Sequence, residues 1–169
     1  SAQVKPFSLL RLKLQGVTFD VKSPNNDSHN KVTITTGGLT RNAVITREIQ
    51  GIVTGAEVAD LNVDGSPEIY VYISEGKARF GHVIALSSNR KKSLTEIYLP
   101  EIEPDSKEAQ GYRGRDEYAV VENTFARRFP IYKPEDSEAN ATGGMRQLQY
   151  KLKAGEAGWI LKLNKVLEF

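Results

Sequence analysis

The stretch MRQLQYKLKAGEAGWILKLNKVLEF, Met145–Phe169, decides the fold class. In its first half Leu148, Tyr150 and Leu152 recur at every second residue. In its second half Trp159, Leu161, Leu163, Leu167 and Phe169 share one face, with Lys165 interrupting. A period of two places alternate side chains on one face of a pleated strand. The Ala-Gly-Glu-Ala-Gly run between the halves is a hairpin loop in composition. The segment therefore reads as two antiparallel strands, with Trp159, Leu161 and Leu163 buried together.

The same period continues outward. EIYVYI (68–73) and HVIAL (82–86) flank a tip at Gly76–Gly81 and form a second hairpin. LLRLKLQGVTFDV (9–21) alternates on both sides of Gly16 and reads as one long strand bent at that glycine. KVTITT (31–36) closes at Gly37-Gly38, and 42–60 is one or two strands broken near Gly51 or Gly55. EYAVVE (117–122) and FARRFPIY (125–132) pair about Glu122-Asn123-Thr124, with Pro130 at an edge or strand end because it offers no amide donor. Residues 99–116 form one long structured loop, with a short helical turn at Ser106–Gln110 capped by Asp105. The expectation is an all-β single domain over 1–169, an antiparallel β-sandwich or flattened barrel of about eight or nine strands.

Composition narrows the function classes. At 39% hydrophobic and 26% charged, the chain can bury a core and stay soluble. A net charge of +2 is too small for the dense basic face that nucleic acid requires. No apolar run is long enough for a membrane-spanning helix. The absence of cysteine excludes disulfides, thiolate metal sites and a cysteine nucleophile. The chain starts at Ser1 with Met145 as its only methionine, which reads as a processed or otherwise trimmed start, the form a removed signal peptide also leaves.

Three features carry chemistry. DLNVDGSPE (60–68) sets oxygens at Asp60, Asn62, Asp64 and Glu68 around Gly65, the donor type and spacing of a calcium loop on a β-hairpin. It is not an EF-hand, because Val71 stands where a bidentate Glu is required. The alternative is an Asp/Asn/Gly turn whose side chains cap their own backbone. The tip Gly76, Lys77, Ala78, Arg79, Phe80, Gly81 places two cations and a ring where a turn needs only flexible or polar residues. A second basic, glycine-rich loop, with Tyr112, Arg113 and Arg115, supplies a neighbouring contact. Neither His29 nor His82 lies in a catalytic motif, and Asp116-Glu117 reads as a solvated face. No nucleophile, base and orienter assemble, so the chain reads as a non-enzyme.

VTGAEVADLNVDGSPEIYVYI, IYLP, GYRGRDEYAVVE, RRFPIYKPED, TGGMRQLQYKL and GEAGWILKLNKVLEF together resemble the bacterial periplasmic inhibitors of invertebrate-type (i-type) lysozyme, the PliI-type family. The resemblance runs from about Gly51 to Phe169. It implies a β-sandwich or flattened barrel, a periplasmic location, frequent homodimers, and a loop that plugs the lysozyme cleft. The inhibitory loop of the family falls on Gly76–Gly81. Phe80-Gly81 stands where the family has Tyr-Gly, and Lys77-Ala78 replaces its Ser-Gly. Two functions follow as expectations. One is a lysozyme inhibitor, in which Lys77 and Arg79 pair with cleft carboxylates and Phe80 fills a subsite. The other is a calcium-stabilised β-module that binds carbohydrate or another envelope component. Neither requires nucleic acid, a membrane or any cofactor beyond Ca²⁺.

Overall fold

The computed structural model describes the backbone of residues 7–169 and the side chains from Leu10 onward. Where β-branched and apolar residues alternate, the chain is extended. Twelve strands result: β1 (Phe7–Leu14), β2 (Val17–Ser23), β3 (His29–Gly37), β4 (Val44–Gln50), β5 (Ile52–Ala59), β6 (Glu68–Glu75), β7 (Phe80–Ser87), β8 (Thr95–Tyr98), β9 (Glu117–Val121), β10 (Thr124–Pro130), β11 (Met145–Ala154) and β12 (Trp159–Glu168). β1 to β4 form a four-stranded meander, and an eight-stranded sheet runs in the order β5-β6-β7-β8-β12-β11-β10-β9. All pairings are antiparallel except the short parallel contact of β8 with the start of β12. No helix among the described residues is long and apolar enough to cross a membrane.

The strand count exceeds the sequence expectation for local reasons. The expected bend at Gly16 is a reversal. Gln15 (φ +52°) and Gly16 (φ +80°) both take left-handed conformations, and Leu14 pairs with Val17. Two consecutive positive φ values make the two-residue turn that matches strand twist. A bent strand and a hairpin share the same apolar alternation, so periodicity cannot separate them. The segment 42–60 breaks at Gly51 rather than at Gly55. β8 is only four residues and has too few alternations to announce itself. In the long loop the helical turn is a single 3-10 turn at Lys107–Ala109; Ser106, not Asp105, precedes it, and its hydroxyl donates to the Glu103 carbonyl.

The eight-stranded sheet curls until its outer strands nearly meet. Glu57 of β5 bridges that gap: its Oε1 accepts from the Val120 amide of β9 (3.1 Å) and from the Tyr72 hydroxyl (2.8 Å). Inside lies a core rich in rings, with Tyr70, Tyr72, Phe125, Phe129 and Tyr150 packed beside Leu161. Outside, the meander packs Val17, Phe19, Val21, Val32 and Ile34 against Ile69, Val71 and Ile73. β6 thus buries both faces, its even residues in the barrel and its odd residues under the meander.

The last strand corrects one expectation. Leu161 is fully buried and Trp159 half-buried, but Leu163 is 39% exposed. Leu163 lies opposite Tyr150, at a shallow cleft that Pro100 and Ile102 of the long loop only partly cover. Beyond it the register shifts, pairing Lys165 with Gln149 and leaving Asn164 as an extra residue. One extra residue exchanges the faces, so Val166 rather than Leu167 falls opposite Leu148. In urea unfolding, Leu161→Ala is expected to cost about 2–5 kcal/mol. Leu163→Ala is expected to cost only about 0.5 kcal/mol. Equal costs would place Leu163 in the core after all.

Candidate functional site

The tip is shorter and better held than its sequence suggests. Glu75 pairs with Phe80, so the loop proper is Gly76–Arg79. It closes through the Arg79 amide donating to the Gly76 carbonyl (3.1 Å), with Gly76 and Arg79 at positive φ. Lys77 and Arg79 are exposed, and neither has an ion-pair partner among the described residues. Phe80 is 42% exposed, its inner edge against Tyr112 at a ring separation of 6.0 Å.

The second basic loop docks on the tip. The Arg115 amide donates to the Ala78 carbonyl (2.7 Å) and the Asp116 amide to the Arg79 carbonyl (3.2 Å). Gly114 permits this approach: it holds φ +97°, and a Cβ there would meet the Ala78 carbonyl oxygen at 2.3 Å. The side chains of this loop are largely occupied. Arg113 lies over the Tyr132 ring and donates to the carbonyls of Asp136 and Lys133, while Arg115 is half-buried near the Tyr132 hydroxyl. Tyr112 turns inward, its hydroxyl donating to Asp116. The loop buttresses the tip more than it extends its surface.

Asp116 anchors this arrangement, and its burial corrects the solvated reading. Its side chain is 0% exposed, whereas Glu117 is 67% exposed. Oδ1 accepts from Arg127 Nε (2.7 Å), and Oδ2 accepts from the Gly81 amide (2.7 Å) and from Tyr112. Arg127 points into the barrel beneath Tyr112 and Tyr118. Burial opposes its charge, but the hydrogen bond and charge of Asp116 together with the neighbouring Tyr118 and Tyr112 outweigh it, and the guanidinium is held above its ordinary range. One signal in the sequence could have found the pair. Period two places Arg127 on the same face as Phe125 and Phe129, and a cation inside an aromatic barrel requires a buried anion.

The acidic loop lies at the other end of β6. Asp60 organises it, accepting from the amides of Asp64 and Gly65 and from the Gln15 side chain in the β1–β2 turn. Asp64 accepts from the Ser66 amide and from Asn62 Nδ2. These bonds are the self-capping turn that was the alternative to a metal loop. Glu68 does not fit that pattern. It is fully buried; Oε1 accepts from the Leu61 amide (2.9 Å) and the Tyr70 hydroxyl (3.0 Å), but Oε2 has no hydrogen-bond partner among the described residues. A buried polar atom left unpaired costs about 1–3 kcal/mol. Burial pushes the Glu68 carboxyl up, and the Asp60 and Asp64 carboxylates add to the effect, bringing it to about 8.

A cleft of about 510 Å³ opens beside β8, lined by Tyr98, Trp159, Glu96 and Glu101, with Tyr118 and Arg127 also on its wall. The sequence reading named none of these as a site. No protein-family model, curated protein or solved structure matches the chain.

Removing one partner of a buried pair strands the other charge. Asp116→Ala is expected to cost about 3–5 kcal/mol, with Asp116→Ala/Arg127→Met recovering part of the loss. Urea unfolding of both variants checks this, and an Asp116→Ala change within error would refute the pairing argument. Glu68 predicts a pH dependence in metal-free buffer. Its folded pKa lies above the ordinary 4.5, so the folded state holds the proton more tightly. The stability it contributes is complete below that value and is lost as pH rises through about 8. Glu68→Gln cannot ionise, so its melting temperature should gain on wild type over that window. A difference independent of pH would contradict the burial argument.

Proposed function

We propose that the protein is a periplasmic, non-enzymatic inhibitor of lysozyme, with i-type lysozyme as its target and the Gly76–Gly81 loop as the plug. The observation that supports this reading is the unpaired, exposed Lys77 and Arg79 on a loop whose backbone is pinned by Arg115, Asp116 and the Asp116 side chain. A loop ordered before binding loses little conformational entropy on association. Glycosidase clefts of this kind hold a pair of carboxylates. Lys77 and Arg79 supply charge-assisted donors to them in place of the hydroxyl at the family position, and Phe80 contributes apolar area at a sugar subsite. Homodimer formation belongs to the same reading.

The second reading, a carbohydrate-binding β-module, rests on the cleft beside Trp159 and Tyr98, where rings and carboxylates stand together. Inhibition assays against i-, c- and g-type lysozymes separate the two, because a carbohydrate module leaves all three enzymes active.

Truncating one partner of a desolvated interfacial pair costs about 2–5 kcal/mol, so Arg79→Ala is expected to weaken inhibition of a sensitive lysozyme at least about tenfold. Its unfolding free energy should stay within about 0.5 kcal/mol of wild type, because the side chain is exposed. Lys77→Ala and Phe80→Ala are measured in parallel. If all three variants inhibit as well as wild type, the plug lies elsewhere.

A further inference from the structure

Glu68 raises a question that neither the fold nor the tip answers. A carboxylate at the start of β6 is fully buried, yet one of its oxygens is unbonded. Tyr70 and the Leu61 amide both bond the other oxygen, Oε1, which leaves Oε2 free. Ligand oxygens of Asp60, Asp64 and Glu68 all lie within 4.8 Å of one another. The Asn62 side-chain carbonyl oxygen is likewise buried without a partner, while its amide nitrogen is committed to Asp64. No donor among the described residues reaches either of these two acceptors, and the Asp60 and Asp64 carboxylates cluster with Glu68, an arrangement that a cation completes.

The chemistry of the donors narrows the cation. All four groups offer oxygen, with no imidazole or thiolate among them, which suits a hard ion rather than zinc or copper. Oxygens on opposite sides of a bound calcium are about 4.6–5.2 Å apart, twice the usual Ca–O distance. The three carboxylate oxygens, already within 4.8 Å of one another, need only small side-chain adjustments to close on it. Magnesium holds its ligands closer and sheds its water reluctantly. The hydrogen bonds already made do not block coordination, because a carboxylate offers about four acceptor sites. Asp60 receives three donors and Asp64 two.

We infer that Asp60, Asn62, Asp64 and Glu68 form a calcium site that joins the β5–β6 connection to the meander through Gln15. Calcium binding at this loop does not depend on lysozyme inhibition by the tip. The ion neutralises the carboxylate cluster and takes up the free Glu68 oxygen. Because Gln15 bonds Asp60 from the β1–β2 turn, ordering the loop also fixes the contact between the two sheets.

Calorimetric titration of the full chain with calcium is expected to show saturable one-to-one binding, and calcium should raise the melting temperature relative to chelator. Terbium offers an optical probe, because Tyr70 bonds Glu68 directly and can sensitise its emission. Calcium should displace that emission, with magnesium at least tenfold less effective. Glu68→Gln keeps the side-chain volume and the Oε1 acceptor but removes the charge. It is expected to melt no lower than wild type in chelator and to lose at least tenfold in calcium affinity. Asp64→Asn, which preserves the acceptor for the Ser66 amide, should lose affinity similarly. Superimposable melts in calcium and chelator with no binding heat would overturn the site. So would calcium affinity unchanged in both variants.

Discussion

From Glu68 to Ile73 β6 has no solvent face, and the architecture depends on that constraint. It pairs with β5 on one side and β7 on the other, which satisfies its backbone. Its odd residues Ile69, Val71 and Ile73 fill the aliphatic layer under the meander, while Tyr70 and Tyr72 enter the aromatic barrel. The two layers differ in emphasis, one mostly of branched chains around Phe19 and one rich in rings. A one-residue slip would exchange them, placing phenols in the aliphatic layer without partners. In the native register the Tyr72 hydroxyl bonds Glu57 and the Tyr70 hydroxyl bonds Glu68. The first bond ties the strand to the barrel seam, and Glu68, which also accepts from the Leu61 amide, ties it to the acidic loop.

The same strand separates the two candidate sites. Eight residues of β6 span about 23 Å at the usual rise per residue. The acidic loop precedes the strand and the basic tip follows it, so opposite charges collect at opposite ends. At the tip, rigidity comes from the buried Asp116–Arg127 pair. Such pairs are weak sources of net stability, since desolvation offsets much of their attraction. Their effect here is positional. Asp116 binds the Gly81 amide, the Tyr112 hydroxyl and Arg127 at once, and so locks a loop, a hairpin and the barrel wall into one arrangement. At the acidic end the same physics runs in reverse, because Glu68 is buried without a cationic side chain paired to it among the described residues.

By itself the sequence determined the fold class, because alternation of apolar residues leaves few ways to bury one face. It marked the β6–β7 and β11–β12 hairpins, the chemical character of the tip and the oxygen spacing of DLNVDGSPE. It also held the Arg127 clue, on the face of Phe125 and Phe129, though its partner lies eleven residues away on a loop. It did not determine chain direction at Gln15-Gly16, where a bend and a reversal share one pattern. Nor did it locate the extra residue at Asn164 that exchanges faces late in β12. Only tertiary structure decided which groups lost their water. Burial of Asp116, the free Glu68 oxygen and the docking of Gly114 onto Ala78 all arise from elements that meet in space. Desolvation depends on every neighbour at once, and a periodic pattern records only those on the same strand.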